Sequence, residues 1–177
     1  MNLPNKLSIA RAVCIPVIVI LLYLKDPACR ITAGILFILA CLTDFLDGRI
    51  ARKRNLVTDF GKFIDPVADK LLVLTALIML VHRGMMPAWV VIVVLCRELS
   101  VDGLRMVAVT QGKVIAAGPL GKWKTACQMV LISIMLILDL SFSTSWPVMV
   151  LTSIMVLLTV ISAVDYFVRN RSVLALK

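Results

Sequence analysis

Six apolar runs, each close to the length of a membrane-spanning helix, take up nearly all of this chain: residues 7–24, 31–50, 64–82, 87–108, 121–139 and 146–167. About 20 mostly apolar residues cross the hydrocarbon layer as a helix. The chain of 177 residues is 61% hydrophobic with a mean hydropathy of +1.02, whereas soluble domains lie nearer half apolar. Once the six runs are placed, no stretch remains for a soluble domain. The pattern predicts a single all-α integral membrane domain over residues 1–177, with six transmembrane helices.

Six spans put both ends of the chain on one side of the bilayer. Of the 19 Lys and Arg residues, 16 would lie on that side, leaving Lys25, Arg30 and Arg83 on the other. Basic residues concentrate on the cytoplasmic side, so both termini are expected to be cytoplasmic, in an inner or plasma membrane. Lys6 and Arg11 precede an apolar segment as in a secretory signal, but the segment from Lys25 to Arg30 lacks a small-x-small cleavage pattern. The first span is therefore expected to be retained. The net charge of +9 suits attraction to an anionic inner leaflet, and no nucleic-acid motif accompanies it. Five cysteines show no metal-ligand spacing, and four of them lie inside runs, where Cys acts as a small apolar residue. Trp89, Trp123, Trp146 and Tyr166 fall at run ends, as interfacial anchors do.

The polar stretch from Thr43 to Lys70 is where chemistry concentrates. Asp44 and Asp47 are three residues apart, and Asp65 and Asp69 are four apart. On helices each pair shares a face. Carboxylates beside lipid are costly and usually functional. Two such pairs on facing helices would make a cage for hard divalent cations, which prefer oxygen ligands. Gly48, Ala51 and Gly61 are small enough to let a bulky ligand approach backbone. Arg52 supplies a fork suited to phosphate.

Written as Asp44-x2-Asp47-Gly48-x2-Ala51-Arg52-x8-Gly61-x3-Asp65-x3-Asp69, this stretch resembles at every position the signature of the CDP-alcohol phosphotransferase family. The resemblance implies that family's membrane fold and two divalent cations, Mg2+ or Mn2+. It implies Asp44, Asp47, Asp65 and Asp69 at the metals, with Asp69 also the general base. Gly48, Ala51, Arg52 and Gly61 match the positions that bind the CDP-lipid. Family members form homodimers, a point on which this sequence is itself silent.

Two further places carry polar residues beside apolar runs. Asn5, Ser8 and Arg11 precede or open the first run. They read either as helix capping and snorkelling or, by similarity to phosphatidylglycerophosphate synthases, as part of the mouth of the site. Arg97 and Arg105 are eight residues apart, about 80° around a helix, so both can face one cavity. Lys122 and Lys124 open the next run in Gly121-Lys122-Trp123-Lys124-Thr125-x2-Gln128. Lysines at a span entrance are usually topological, but four cations beside an acidic cluster suit a second phosphate group. These segments too are similar to phosphatidylglycerophosphate synthases. Ser162, Asp165 and Tyr166 close the last run and read as capping or interface residues.

The resemblance implies transfer of the phosphatidyl group from CDP-diacylglycerol to glycerol 3-phosphate, giving phosphatidylglycerophosphate and CMP. A sister activity with another acceptor, of the cardiolipin synthase or phosphatidylinositol phosphate synthase type, shares the same metal signature. Cation transport is the alternative from another class. It would place carboxylates near mid-membrane, whereas these four fall near one face.

Overall fold

The computed structural model describes the backbone of residues 3–24, 26–53, 59–116 and 118–174, and the side chains of 7–24, 26–43, 65–116 and 118–173. All regular structure among the described residues is helical: α1 Leu3–Tyr23, α2 Pro27–Lys53, α3 Asp59–His82, α4 Ala88–Thr110, α5 Pro119–Leu138, α6 Trp146–Arg169 and the short α7 Arg171–Leu174. Each apolar run lies on one of the six long helices. Several helices continue past the apolar runs into polar sequence, because the i→i−4 ladder does not require apolar side chains. Thus α2 begins at Pro27, whose missing N–H costs nothing at a first helical position. Asp26 caps it, its Oδ2 accepting the Cys29 N–H at 3.1 Å.

Two helices, α5 and α6, are long and apolar enough over their described residues to cross a membrane. The described apolar stretches of α1 and α2, Leu7–Tyr23 and Pro27–Thr43, are shorter. α1 packs on α2 and α3, α5 on α6 and α2, and α4 on α6. The principal core is filled by Ile18, Leu22, Phe37, Leu77, Leu80, Val90, Val94, Leu131, Ile132, Met135, Leu136 and Met155, contributed by all six long helices. At Gly34 the α2 backbone comes so close to α5 that an added Cβ would stand 2.8 Å from Ile137 Cδ1 and 3.2 Å from Leu136 Cβ. A second apolar cluster joins α4, α6 and α7 through Val101, Leu104, Ala108, Tyr166 and Val173.

The links α1–α2, α3–α4 and α5–α6 gather at one end of the bundle. The Phe142 N–H donates to the Met85 carbonyl at 2.8 Å, and the Tyr23 and His82 rings lie 4.7 Å apart. Arg30 donates to the Leu136 carbonyl and pairs with Asp139 at 3.2 Å. Arg83 donates to the Leu22 carbonyl at 3.1 Å. Both arginines thus meet last-turn carbonyls of a neighbouring helix, where the unpaired acceptors and the helix dipole favour a cation. The opposite end is left to the starts of α1, α3 and α5 and the ends of α2, α4 and α6. The residues singled out above for chemistry belong to those segments, except Arg97, which lies near the middle of α4.

Candidate active site

Asp65 and Asp69 lie on one face of α3, as their spacing predicts. Each receives a donor from α1. The Ser8 hydroxyl donates to Asp65 Oδ1, and Arg11 Nη1 donates to Asp69 Oδ1. Ser8 and Arg11 are three apart on α1, so the two helices meet in two polar rungs. Ser8 lies inside α1 rather than at its start, and Arg11 is 2% exposed. Neither the capping nor the snorkelling reading fits these placements. The Asp69 side chain keeps 32% exposure and lines a cavity of about 240 Å³.

Asp44, Asp47, Gly48, Ala51 and Arg52 belong to the helical backbone of α2, and Gly61 to that of α3. Their side-chain positions, with that of Asn5, lie outside the described residues. Among the described residues no three His, Cys, Asp or Glu side chains stand together as a metal cage. Asp65 and Asp69 nonetheless supply what a hard divalent ion requires: half-buried carboxylate oxygens on one helical face, one of them at a cavity wall.

A second charged group lies where α3, α4 and α5 converge, and Glu98 is at its centre. Glu98 Oε1 accepts from Lys124 Nζ at 2.7 Å and from Arg97 Nη1 at 2.9 Å. Lys70 Nζ stands 3.9 Å from Glu98 Oε2 and pairs with Asp102. Lys124 is 2% exposed, so Glu98 offsets a charge that could not otherwise stay away from water. Gly121 permits this arrangement. A Cβ there would lie 3.2 Å from Arg97 Nη2, so the guanidinium packs on the α5 backbone.

The four cations expected to act together are divided between two adjoining cavities. Arg97, Arg105 and Lys122 line the larger one, of about 520 Å³, together with Lys70, Glu98, Ser162, Asp165 and Tyr166. Lys124 lines the smaller cavity with Asp69, Lys70, Glu98, Thr125 and Gln128. Lys70, Glu98, Thr125 and Met129 belong to both walls, so the two spaces meet along them. Among the described residues the larger cavity has four cations against two carboxylates, a balance that favours an anion. Arg97 Nε is buried beside it without an acceptor among the described residues.

Tyr166 requires a correction. It was expected as an interfacial anchor at the end of the last run, but it is 6% exposed. Its hydroxyl accepts from Arg105 Nε at 3.0 Å, and the Arg105 guanidinium carbon lies 5.5 Å from the ring centroid. Ser162 and Asp165, expected to cap or to face the interface, line the larger cavity with it, and Asp165 also pairs with Arg169 at 2.6 Å. Lys70, Glu98 and Gln128 were likewise not assigned to the site. Glu98 and Gln128 stand within the segments that are similar to phosphatidylglycerophosphate synthases, which was the signal available for them, and Lys70 adjoins Asp69.

Residues 1–165 match the family model described as CDP-alcohol phosphatidyltransferase. A protein of Bacillus subtilis (strain 168) named CDP-diacylglycerol–glycerol-3-phosphate 3-phosphatidyltransferase is 44% identical, with 96% of this chain and 95% of that protein covered. A Rickettsia bellii (strain RML369-C) protein of the same name is 45% identical over 77% of this chain and 75% of its own length. An Arabidopsis thaliana protein, the second of that name, is 39% identical over 76% of this chain and 64% of its own.

Proposed function

The chain belongs to the CDP-alcohol phosphatidyltransferase family, and on that premise we propose that it transfers the phosphatidyl group of CDP-diacylglycerol to glycerol 3-phosphate. The products are phosphatidylglycerophosphate and CMP. The observation that supports a phosphorylated acceptor is the larger cavity, where Arg97, Arg105 and Lys122 outnumber the carboxylates among the described residues. The similarity to the relatives named for glycerol 3-phosphate favours that acceptor over inositol phosphate. A phosphomonoester supplies the oxygens that the buried Arg97 Nε lacks.

The two adjoining cavities support one direction for the acceptor. Its phosphate lies among Arg97, Arg105 and Lys122, and its carbon chain passes the shared wall of Lys70, Glu98 and Thr125. Its far hydroxyl then reaches Asp69. Asp69 takes the proton from that hydroxyl as the oxygen bonds to the lipid-side phosphorus, and the phosphorus–oxygen bond to CMP breaks. Lys124, held by Glu98 at 2.7 Å, places a fixed positive charge beside Asp69 in the smaller cavity. Arg11 orients Asp69, and Ser8 orients Asp65. Gly48, Ala51, Arg52 and Gly61 would form the CDP-lipid pocket. Asp44, Asp47, Asp65 and Asp69 would hold two divalent cations, Mg2+ or Mn2+. Such a pair neutralises a pyrophosphate and the charge that develops on the leaving oxygen.

The same reading makes the protein a six-span homodimer with both termini and the site on the cytoplasmic face. The lipid's acyl chains then remain in the bilayer while glycerol 3-phosphate arrives from solution. Purified protein is expected to release CMP from CDP-diacylglycerol with glycerol 3-phosphate, to stop in excess chelator, and to resume when Mg2+ or Mn2+ is returned. Inositol phosphate, phosphatidylglycerol and plain glycerol should be poor acceptors. Equal use of glycerol would remove the cationic cavity from acceptor binding, and full activity in chelator would remove the metals.

A further inference from the structure

Gln128 is 1% exposed, and both its amide oxygen and its amide nitrogen are buried without a hydrogen-bond partner among the described residues. A buried primary amide with neither atom satisfied costs free energy that the fold ordinarily avoids. Gln128 stands one turn beyond Lys124 and three residues beyond Thr125, so the three share a face of α5. All three line the cavity that also holds Asp69. Thr125 lines the larger cavity as well, which puts Gln128 beside the junction between the two.

We propose that Gln128 recognises the middle hydroxyl of a three-carbon phosphorylated acceptor and so sets acceptor specificity. This inference rests on the acceptor reading above. With the phosphate among Arg97, Arg105 and Lys122 and the reacting hydroxyl at Asp69, the central carbon must lie near the shared wall. A secondary hydroxyl both donates and accepts, and a primary amide offers one acceptor and two donors. The pairing gives one of the orphaned amide atoms a partner, the amide oxygen accepting from the hydroxyl or the amide N–H donating to it. No charge is involved, so Gln128 selects by hydroxyl placement while the arginines select for phosphate.

The test compares glycerol 3-phosphate with 3-hydroxypropyl phosphate, which keeps the phosphate and the reacting hydroxyl but lacks the middle one. CMP release is measured for the parent protein and for Gln128→Leu and Gln128→Met. The parent is expected to prefer glycerol 3-phosphate by about 10- to 100-fold in kcat/KM, because the analogue leaves the amide unpaired. In both variants that preference should fall to near one, through loss with glycerol 3-phosphate rather than with the analogue. Turnover of the analogue by a variant also shows that it is folded. If both variants lose activity equally with the two acceptors, or if the preference persists, Gln128 is a packing residue and the proposal is overturned. A parent protein that releases no CMP with glycerol 3-phosphate would instead remove the acceptor reading itself, and the Gln128 assignment with it.

Discussion

Asp65 and Asp69 are four residues apart on α3, yet they meet unlike partners, a neutral hydroxyl from Ser8 and a guanidinium from Arg11. Asp69 alone of the two lines the smaller cavity, which is why the proposed mechanism gives it, and not Asp65, the reacting hydroxyl. Replacement of Asp69 by Asn should therefore depress turnover while leaving CDP-diacylglycerol binding little changed. The expected loss is about 10²–10⁴-fold, the usual contribution of a general base. A variant whose activity returned at high Mg2+ would show instead that Asp69 acts chiefly as a ligand. The shared face of the two aspartates was legible because helical periodicity is a local property. Their donors were not, since Ser8 and Arg11 are 57 and 58 residues away in sequence and reach them only through the packing of α1 on α3. Tyr166 was misread for the same reason. Its partner Arg105 is 61 residues away, and a tyrosine at the end of an apolar run has the same local signature whether it faces headgroups or a guanidinium.

The six long helices were legible as elements because burial and helix length leave a direct record in hydropathy. What hydropathy does not record is how far each helix continues into polar sequence, or which charges on adjacent helices pair with one another. The group around Glu98 joins α4 to α5 through Lys124, with Lys70 of α3 alongside. Lys124 appears in the sequence only as one of two lysines at a helix entrance. In the structure its side chain is 3% exposed and that of Glu98 is 13% exposed. Removing one member of a buried pair leaves an uncompensated charge, at a cost of about 3–5 kcal/mol, whereas replacing both by apolar residues is often neutral. Glu98→Leu should accordingly lower the thermal unfolding midpoint of the detergent-solubilised protein markedly. The double variant Glu98→Leu/Lys124→Met should regain part of that loss, Arg97 still lacking its acceptor, while remaining impaired in CMP release. If the single and double variants were equally unstable, the pair would not be what holds these helices together, and local packing at Glu98 would be the better account.

For the whole molecule, the two ends of the bundle differ in the work their charges do. At the end where α1–α2, α3–α4 and α5–α6 turn, Arg30 and Arg83 are occupied by helix carbonyls, so these cations serve helix ends. At the other end, Arg97, Arg105 and Lys122 line a cavity, the space that the proposed function assigns to the acceptor's phosphate. The proposed orientation places this second end in the cytoplasm, where glycerol 3-phosphate is found in solution and where basic residues accumulate beside membrane spans. A labelling experiment tests that directly. In a background where the five native cysteines are replaced, a cysteine at Ser143 lies in the α5–α6 link, at an exposed position of the first end. It should react in intact cells with a membrane-impermeant thiol reagent. A cysteine at Asn55, in the segment between α2 and α3 that lies outside the described residues, should react only after the membrane is permeabilised. Labelling of both from outside would mean an odd number of spans between residues 55 and 143 is wrong for this chain, and labelling of Asn55 alone would invert the bundle. Inversion would separate Asp69 and the cationic cavity from cytoplasmic glycerol 3-phosphate, and the acceptor would then have to be sought among molecules of the opposite face.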